Sequence, residues 1–164
     1  MRILGIDPGL KATGYGVLEL PESGAQKMQL LEAGTIEPKK AKLLPEKIAK
    51  IYFNLNEIIT QFSPEVMVLE KLYAHYKHPT TACILGHVRG VICLVSAQQK
   101  LELIEYPVKR IRKALLGNGN ASKEQTRGAV AHILKIDEKN LTLDASDAIA
   151  LALGHAYIEK FRTA

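Results

Sequence analysis

The feature that most restricts the fold of this chain is an apolar segment that ends in an acid. Residues 3–9 read ILGIDPG, so a run typical of a buried strand ends at Asp7, directly before Pro-Gly. A buried carboxylate costs roughly several kcal/mol unless a cation or hydrogen-bond donors meet it. Asp7 therefore either caps the turn, as aspartate readily does, or belongs to a group of side chains that binds a cation.

The order of predicted elements indicates an α/β chain. A meander of three strands is predicted first, at 2–7, 13–20 and roughly 27–37. The elements predicted after it are a helix at 44–62, a strand at 66–70, a helix at 80–99, a strand at 101–107, a basic helix at 107–116, a helix at 123–135 behind a Ser122–Gln125 capping box, and a last helix at about 144–161. We expect one domain over residues 1–164, a mixed five-stranded sheet with helices on both faces.

Charge and cysteine content limit the class of partner and the compartment. The chain carries 22 Lys and Arg against 17 Asp and Glu, a net charge of +5, which favours a polyanion such as nucleic acid. Cys83 and Cys93 lie about 15 Å apart on one predicted helix, too far to bridge, so both are expected to be buried free thiols. We find no apolar segment of membrane-spanning length and no secretory leader. The expected location is therefore the cytoplasm, without membrane contact.

The predicted helix at 80–99 is apolar on nearly all sides. A helix that packs on a sheet with one side normally keeps its other side polar. The surplus of apolar residues indicates a second covered surface. A homodimer would provide it, and a central helix wrapped within the single chain is the alternative.

Four acids form the candidate site. Asp7 and Glu70 each end an apolar strand, while Asp144 and Asp147 lie three residues apart on the side of the last helix that also carries apolar residues. Carboxylates that point inward together raise one another's pKa, and Mg²⁺, which prefers hard oxygen ligands, resolves the conflict. Without these four, the chain has 13 acids and 22 basic residues. An acidic metal site within a basic surface suits the hydrolysis of phosphodiester bonds in nucleic acid.

Each acid also has an ordinary structural interpretation. Asp7 could cap its turn, and Glu70 could be a surface acid just past a strand. Asp144 could be the N-cap of the last helix, and Asp147 a first-turn acid favoured by the helix dipole. The coincidence of two strand-end acids with an inward pair favours the metal site.

Residues of a kind that binds DNA occur in three regions. Tyr73 lies in the segment KLYAHYKHPTT, where aromatic residues alternate with cations and could stack on unpaired bases. Lys109, Arg110 and Arg112 crowd one short helix, a pattern that is usually a solvated face. Lys123 follows GNGN at a helix start, where free backbone N–H groups can bind phosphate.

At this point the sequence resembles a known family. The segments ILGIDPGLKATGYGVL, VLEKLY, LGHVRGV, LLGNGNASKEQ and DASDAIALALGHA are similar to those of the RuvC family of Holliday junction resolvases, in order over essentially the whole chain. The resemblance implies a ribonuclease H-like fold and a homodimer. It also implies a catalytic tetrad of Asp7, Glu70, Asp144 and Asp147, with Tyr73, Arg112 and Lys123 near the DNA.

The resemblance further implies paired, symmetric, Mg²⁺-dependent nicks in four-way DNA junctions, in homologous recombination and DNA repair. We expect two Mg²⁺ per site, with Mn²⁺ as a possible substitute, products with 5′-phosphate and 3′-hydroxyl ends, and a RuvAB-like branch-migration motor as partner. Three alternatives stay open: a related nuclease acting on RNA or hybrids, a junction-binding scaffold without catalysis, and a nucleotide phosphotransferase, for which the chain is short.

Overall fold

The computed structural model describes residues 1–21, 28–39, 41–71 and 79–162. The strands are β1 (Arg2–Asp7), β2 (Thr13–Glu19), β3 (Gln29–Ile36), β4 (Val66–Glu70) and β5 (Glu102–Tyr106). The helices are α1 (Leu44–Phe62), α2 (Pro79–Gln98), α3 (Val108–Leu116), α4 (Lys123–Leu134) and α5 (Leu143–Arg162), with a 3₁₀ turn at Glu138–Asn140. The sequence predicted all of these except the 3₁₀ turn, with ends that differ by one or two residues.

The five strands form one mixed sheet in the order β3-β2-β1-β4-β5. The meander β1–β2–β3 is antiparallel, whereas β1 pairs with β4, and β4 with β5, in parallel. Parallel neighbours require crossovers, and α1 and α2 provide them. The predicted mixed sheet of five strands is confirmed.

Alternate residues of the central strands enter two separate cores. Ile3 and Val68 pack with α3, α4 and α5 on one face, while Leu4, Ile6 and Met67 pack with α1 and α2 on the other. Both faces of the sheet are therefore covered, which explains why β1 and β4 read as nearly continuous apolar runs instead of alternating ones. The expectation of helices on both faces is confirmed.

Helix α5 lies directly on β1 and β2 because two glycines leave room for its backbone. A Cβ at Gly5 would lie 2.0 Å from the carbonyl oxygen of Ala148, and one at Gly14 would lie 2.1 Å from that of Asp144. Gly14 is the cross-strand partner of Asp7. This contact places the first turn of α5 beside the end of β1.

Helix α2 corrects two expectations from the sequence. Cys83 and Cys93 are exposed, not buried, because the core-facing side of α2 is formed by Val88, Ile92 and Val95. In addition, Thr80–Gln98 is long and apolar enough to cross a membrane by length and composition, with a mean hydropathy of 1.5, so the statement that no segment reaches that length was wrong. Only 22% of this segment is buried, so its outward side is not wrapped within the described chain.

Candidate metal centre

Two of the predicted acids end neighbouring parallel strands on the same face of the sheet. Ile3 pairs with Val66 and Gly5 with Val68, so the same register places Asp7 beside Glu70. Ile3, Val66 and Val68 all face α5, and by alternation Asp7 and Glu70 face it as well. The expected proximity of these two carboxylates at the carboxyl edge of the sheet is confirmed.

Helix α5 brings the other two acids to this edge. Its first turn is capped by Thr142, whose Oγ1 accepts a hydrogen bond from the backbone N–H of Ala145 at 3.2 Å. Asp144 is therefore not the N-cap, and that alternative was wrong.

The turn after Asp7 is closed by another residue, Thr13, whose Oγ1 donates to the carbonyl oxygen of Gly9 at 2.7 Å.

The electrostatics show that the four acids act on one another. Burial, followed by the charge of Asp147, raises the pKa of Asp7 from 3.8 to about 7, with further upward contributions from Glu70 and Asp144 and a downward one from Lys123. Burial and then Asp147 also raise the pKa of Glu70. Carboxylates from three separate segments therefore share one electrostatic environment, as the sequence predicted.

Lys123 is a cation that lies directly beside this group. Its Nζ is 2.6 Å from Oδ2 of Asp147, whose side chain is only 12% exposed. Burial lowers the pKa of Lys123, but the hydrogen bond to Asp147 and the charges of Asp147, Asp7 and Asp144 outweigh burial and raise it. The lysine is held there by the Ser122–Gln125 capping box, in which each residue accepts from the other's backbone N–H.

The donor set fits a hard divalent cation. All four candidate ligands are carboxylates, the ligand type that Mg²⁺ and Mn²⁺ prefer, and Asp147 is the one that is ion-paired, with Lys123, in the described part of the chain. Among the described residues, however, no three acidic, histidine or cysteine side chains are already grouped as a metal cage. Oδ2 of Asp147 is instead paired with the ammonium group of Lys123.

The predicted DNA-binding residues of α3 differ in burial, with one half-buried and two exposed. Arg112 is half-buried and lines a small cavity with Glu70 and Asp147, and its charge lowers the pKa of Glu70. Its Nε–H is buried without a hydrogen-bond acceptor in the described part of the chain and is therefore available to donate to a phosphate oxygen. Lys109 and Arg110 are exposed on α3, and the guanidinium of Arg110 lies 5.1 Å from the centre of the Tyr106 ring. Tyr73 lies outside the described residues.

One residue of the site was not predicted. Arg89, from α2, donates to the backbone carbonyl oxygen of Glu70 and pairs with the carboxylate of Glu105. The signal in the sequence was a charged residue in an otherwise largely apolar helix.

The fold and the site together define a class. A sheet in this order, covered by helices on both faces and with carboxylates at its carboxyl edge, is a ribonuclease H-like fold. Residues 3–155 match the family model described as crossover junction endodeoxyribonuclease RuvC. The chain belongs to this family, as the sequence resemblance implied.

Individual relatives agree with this assignment. The crossover junction endodeoxyribonuclease RuvC of Rhodopirellula baltica is 39% identical over 154 residues, which cover 93% of this chain and 85% of the relative. The structure of Thermus thermophilus RuvC matches with a TM-score of 0.87 and 28% identity, covering 99% of this chain and 98% of that one. T. thermophilus RuvC in complex with a Holliday junction substrate matches with a TM-score of 0.86 and 25% identity over the same shares.

Proposed function

We propose that this chain is a structure-selective endonuclease that cuts four-way DNA junctions by paired, symmetric nicks during recombination and repair. The observation that carries the proposal is the convergence of Asp7, Glu70, Asp144 and Asp147 in a chain that matches a junction-bound RuvC over nearly its whole length. The raised pKa of Asp7 supports a site in which a cation, not a proton, is the functional partner of that carboxylate.

RuvC-family nucleases use divalent metal ions. For this chain we propose two Mg²⁺, with Mn²⁺ as a substitute, held by the four acids, with Asp7 shared between them. When bound, such ions would supply the activation of water and the charge stabilisation of the departing 3′ oxygen that hydrolysis to 5′-phosphate and 3′-hydroxyl ends requires. The protein's own part is to hold four carboxylates from three segments in one place before the substrate arrives.

The cations of the site would hold the scissile strand. Arg112 offers a buried Nε without a partner among the described residues, and Lys123 can exchange Asp147 for a phosphate oxygen when a metal binds that carboxylate. Lys109 and Arg110, exposed further along α3, would contact the backbone farther from the cut. Tyr73 is proposed, on sequence alone, to stack near the crossover.

A homodimer is proposed to pair two such sites on one junction. The outward side of α2 is exposed and bears mostly small or apolar residues at helical spacing: Cys83, Gly86, Gly90, Cys93, Leu94 and Ala97. A Cβ at Gly86 or Gly90 would meet nothing within 4 Å, so a second helix can approach closely there. This side of α2 would be the covered second surface that the sequence predicted, because a two-fold symmetric dimer brings the same surface of both chains together.

We also propose the domain organisation, the location and the further partner that the sequence predicted. The chain would act as a single domain over residues 1–164, in the cytoplasm, where its DNA substrate lies, and a RuvAB-like branch-migration motor is the proposed further partner. The net charge of +5 favours encounter with DNA.

The test uses a synthetic four-way junction and a linear duplex of the same sequence, each with Mg²⁺ or with EDTA. We expect symmetric cuts in the junction only, and none in EDTA. Junction binding without cutting in Mg²⁺ would favour the scaffold alternative, and faster cutting of an RNA–DNA hybrid would favour the related-nuclease alternative.

A further inference from the structure

Arg89 connects helix α2 to the ends of two strands. Its Nη1 donates to the backbone carbonyl oxygen of Glu70, the last residue of β4, and its Nη2 pairs with the carboxylate of Glu105 in β5. The Arg89 side chain is 15% exposed, so its guanidinium is largely covered, whereas the Glu105 side chain is 37% exposed and keeps contact with solvent. An arginine that is so well covered and bonded at both nitrogens is a fixed part of the structure.

The contact with Glu70 fixes one particular peptide group. The carbonyl of Glu70 and the N–H of Lys71 belong to the same peptide plane, and that N–H donates to the carbonyl oxygen of Tyr106 at 2.8 Å. Both polar groups of this peptide are therefore bonded, one by Arg89 and one by β5. Because β4 ends at Glu70, the strand ladder alone would hold the peptide on its N–H side only.

We propose that Arg89 is a positioning residue that aims the Glu70 carboxylate at the divalent cation, with Glu105 as its anchor. The inference rests on the proposed metal-dependent function and adds a residue to it. A peptide plane held on both sides restricts the backbone torsion of Glu70, and that torsion sets the direction of its side chain towards Asp7. Partners of metal ligands that do not touch the metal commonly control affinity in this way.

Arginine suits this position better than lysine does. The two acceptors lie in different directions, one on a strand backbone and one on a neighbouring side chain, and the guanidinium fork reaches both at once. A lysine would offer a single point of charge on a flexible stem. We therefore expect Arg89→Lys to retain only part of the function.

The experiment measures Mn²⁺ binding to the full chain without DNA, by calorimetric titration, in wild type, Arg89→Met, Arg89→Lys and Glu105→Gln. Arg89→Met should weaken Mn²⁺ binding about 10-fold to 100-fold, and Glu105→Gln and Arg89→Lys should weaken it less. The matched control is Arg2→Met, since Arg2 likewise pairs with a carboxylate, that of Glu19 at 2.9 Å, and donates to a backbone carbonyl oxygen, that of Phe62 at 2.8 Å, at the opposite end of β1 from the site. The control should bind Mn²⁺ like wild type.

A second readout separates positioning from general damage. Nicking of a four-way junction by Arg89→Met should recover as the Mn²⁺ concentration is raised, whereas damage to the fold would lower the rate at every concentration. Unchanged Mn²⁺ affinity in Arg89→Met would overturn the proposal. If that variant does not fold, unchanged affinity in both Arg89→Lys and Glu105→Gln would overturn it equally. Failure of the wild-type chain to bind Mn²⁺ would count against the proposed metal centre, and failure to nick a junction despite binding would count against the proposed function alone.

Discussion

At the scale of single residues, Asp7 lies in an unfavourable environment. It is surrounded by three other carboxylates and partly shielded from water, and Lys123 is the nearby cation that lowers its pKa. Such an arrangement weakens the metal-free protein, because like charges are held together by packing of the sheet and α5. A site that is unfavourable when empty is well prepared for a divalent cation.

Asp7→Asn should abolish nicking, because it removes a central metal ligand, and should leave junction affinity within a few-fold of wild type, because the cations on α3 and α4 remain. Nicking in Mg²⁺ and gel-shift binding in Ca²⁺ measure the two properties. Glu57→Gln, on the exposed side of α1, is the control and should cut normally. An Asp7→Asn protein that cuts at the wild-type rate would contradict the assignment.

The stability of the metal-free protein should fall as the pH rises. The pKa of Asp7 is about 7 in the folded chain against a reference of 3.8, so between these values the folded state binds more protons than the unfolded state. Unfolding free energy therefore decreases across this window, by about 1–4 kcal/mol, and levels off above it. Urea denaturation in EDTA from pH 4 to pH 8 measures the effect. The unfolding free energy of Asp7→Asn should lack this decrease with pH. Parallel pH profiles of unfolding free energy for wild type and Asp7→Asn would disprove the prediction.

The sequence predicted the acids better than it predicted their partners. Asp7 and Glu70 could be recognised because each interrupts an apolar run at its end, a local signal. The pairing of Lys123 with Asp147 and the bond from Arg89 to Glu70 depend on how α4 and α2 dock against the rest of the chain. No local sequence pattern identifies these pairs of contacting residues.

Among the elements, α5 depends most on close packing. Gly5→Ala would place a methyl carbon 2.0 Å from the carbonyl oxygen of Ala148, and strand and helix would have to separate. We expect a loss of roughly 2 kcal/mol or more in unfolding free energy, by analogy with other overpacked cores, together with loss of nicking, because Asp144 and Asp147 move with α5. Chemical denaturation and the junction assay measure both.

Gly128→Ala is the matched control for that substitution. Gly128 lies inside α4, and the nearest atom to an added Cβ is Oε2 of Glu138 at 3.6 Å, an ordinary contact. The change should stabilise the chain by up to about 1 kcal/mol through helix propensity. Similar unfolding free energies and nicking rates of the two alanine variants would show that α5 does not depend on Gly5 for its close contact with the sheet.

The elements also show where the sequence was informative about the fold. The strands could be recognised as apolar runs bounded by turn residues, and the capping box of Ser122 and Gln125 predicted the first residue of α4 correctly. The error at Cys83 and Cys93 arose because α2 is apolar on both sides, so periodicity could not tell its core-facing side from its outward one.

For the whole molecule, the prediction concerns assembly. Leu94 is 51% exposed on the outward side of α2. Leu94→Lys should convert the proposed dimer into a monomer, because a charge at the centre of an apolar interface is left unpaired, and should uncouple the two nicks on one junction. Light scattering and the ratio of single to double cuts measure these outcomes. Phe53→Lys, at a residue 61% exposed on α1, is the control and should stay dimeric. A Leu94→Lys protein that keeps the mass of a dimer in solution would show that the interface lies elsewhere.

Anomalous diffraction from crystals soaked in Mn²⁺ tests the central claim most directly. That claim is that carboxylates brought together from β1, β4 and α5 coexist because they share divalent cations. The account predicts anomalous density between Asp7, Glu70 and the two aspartates of α5, with Asp147 turned away from Lys123. Density confined to other parts of the surface, with Asp147 still paired to Lys123, would contradict it.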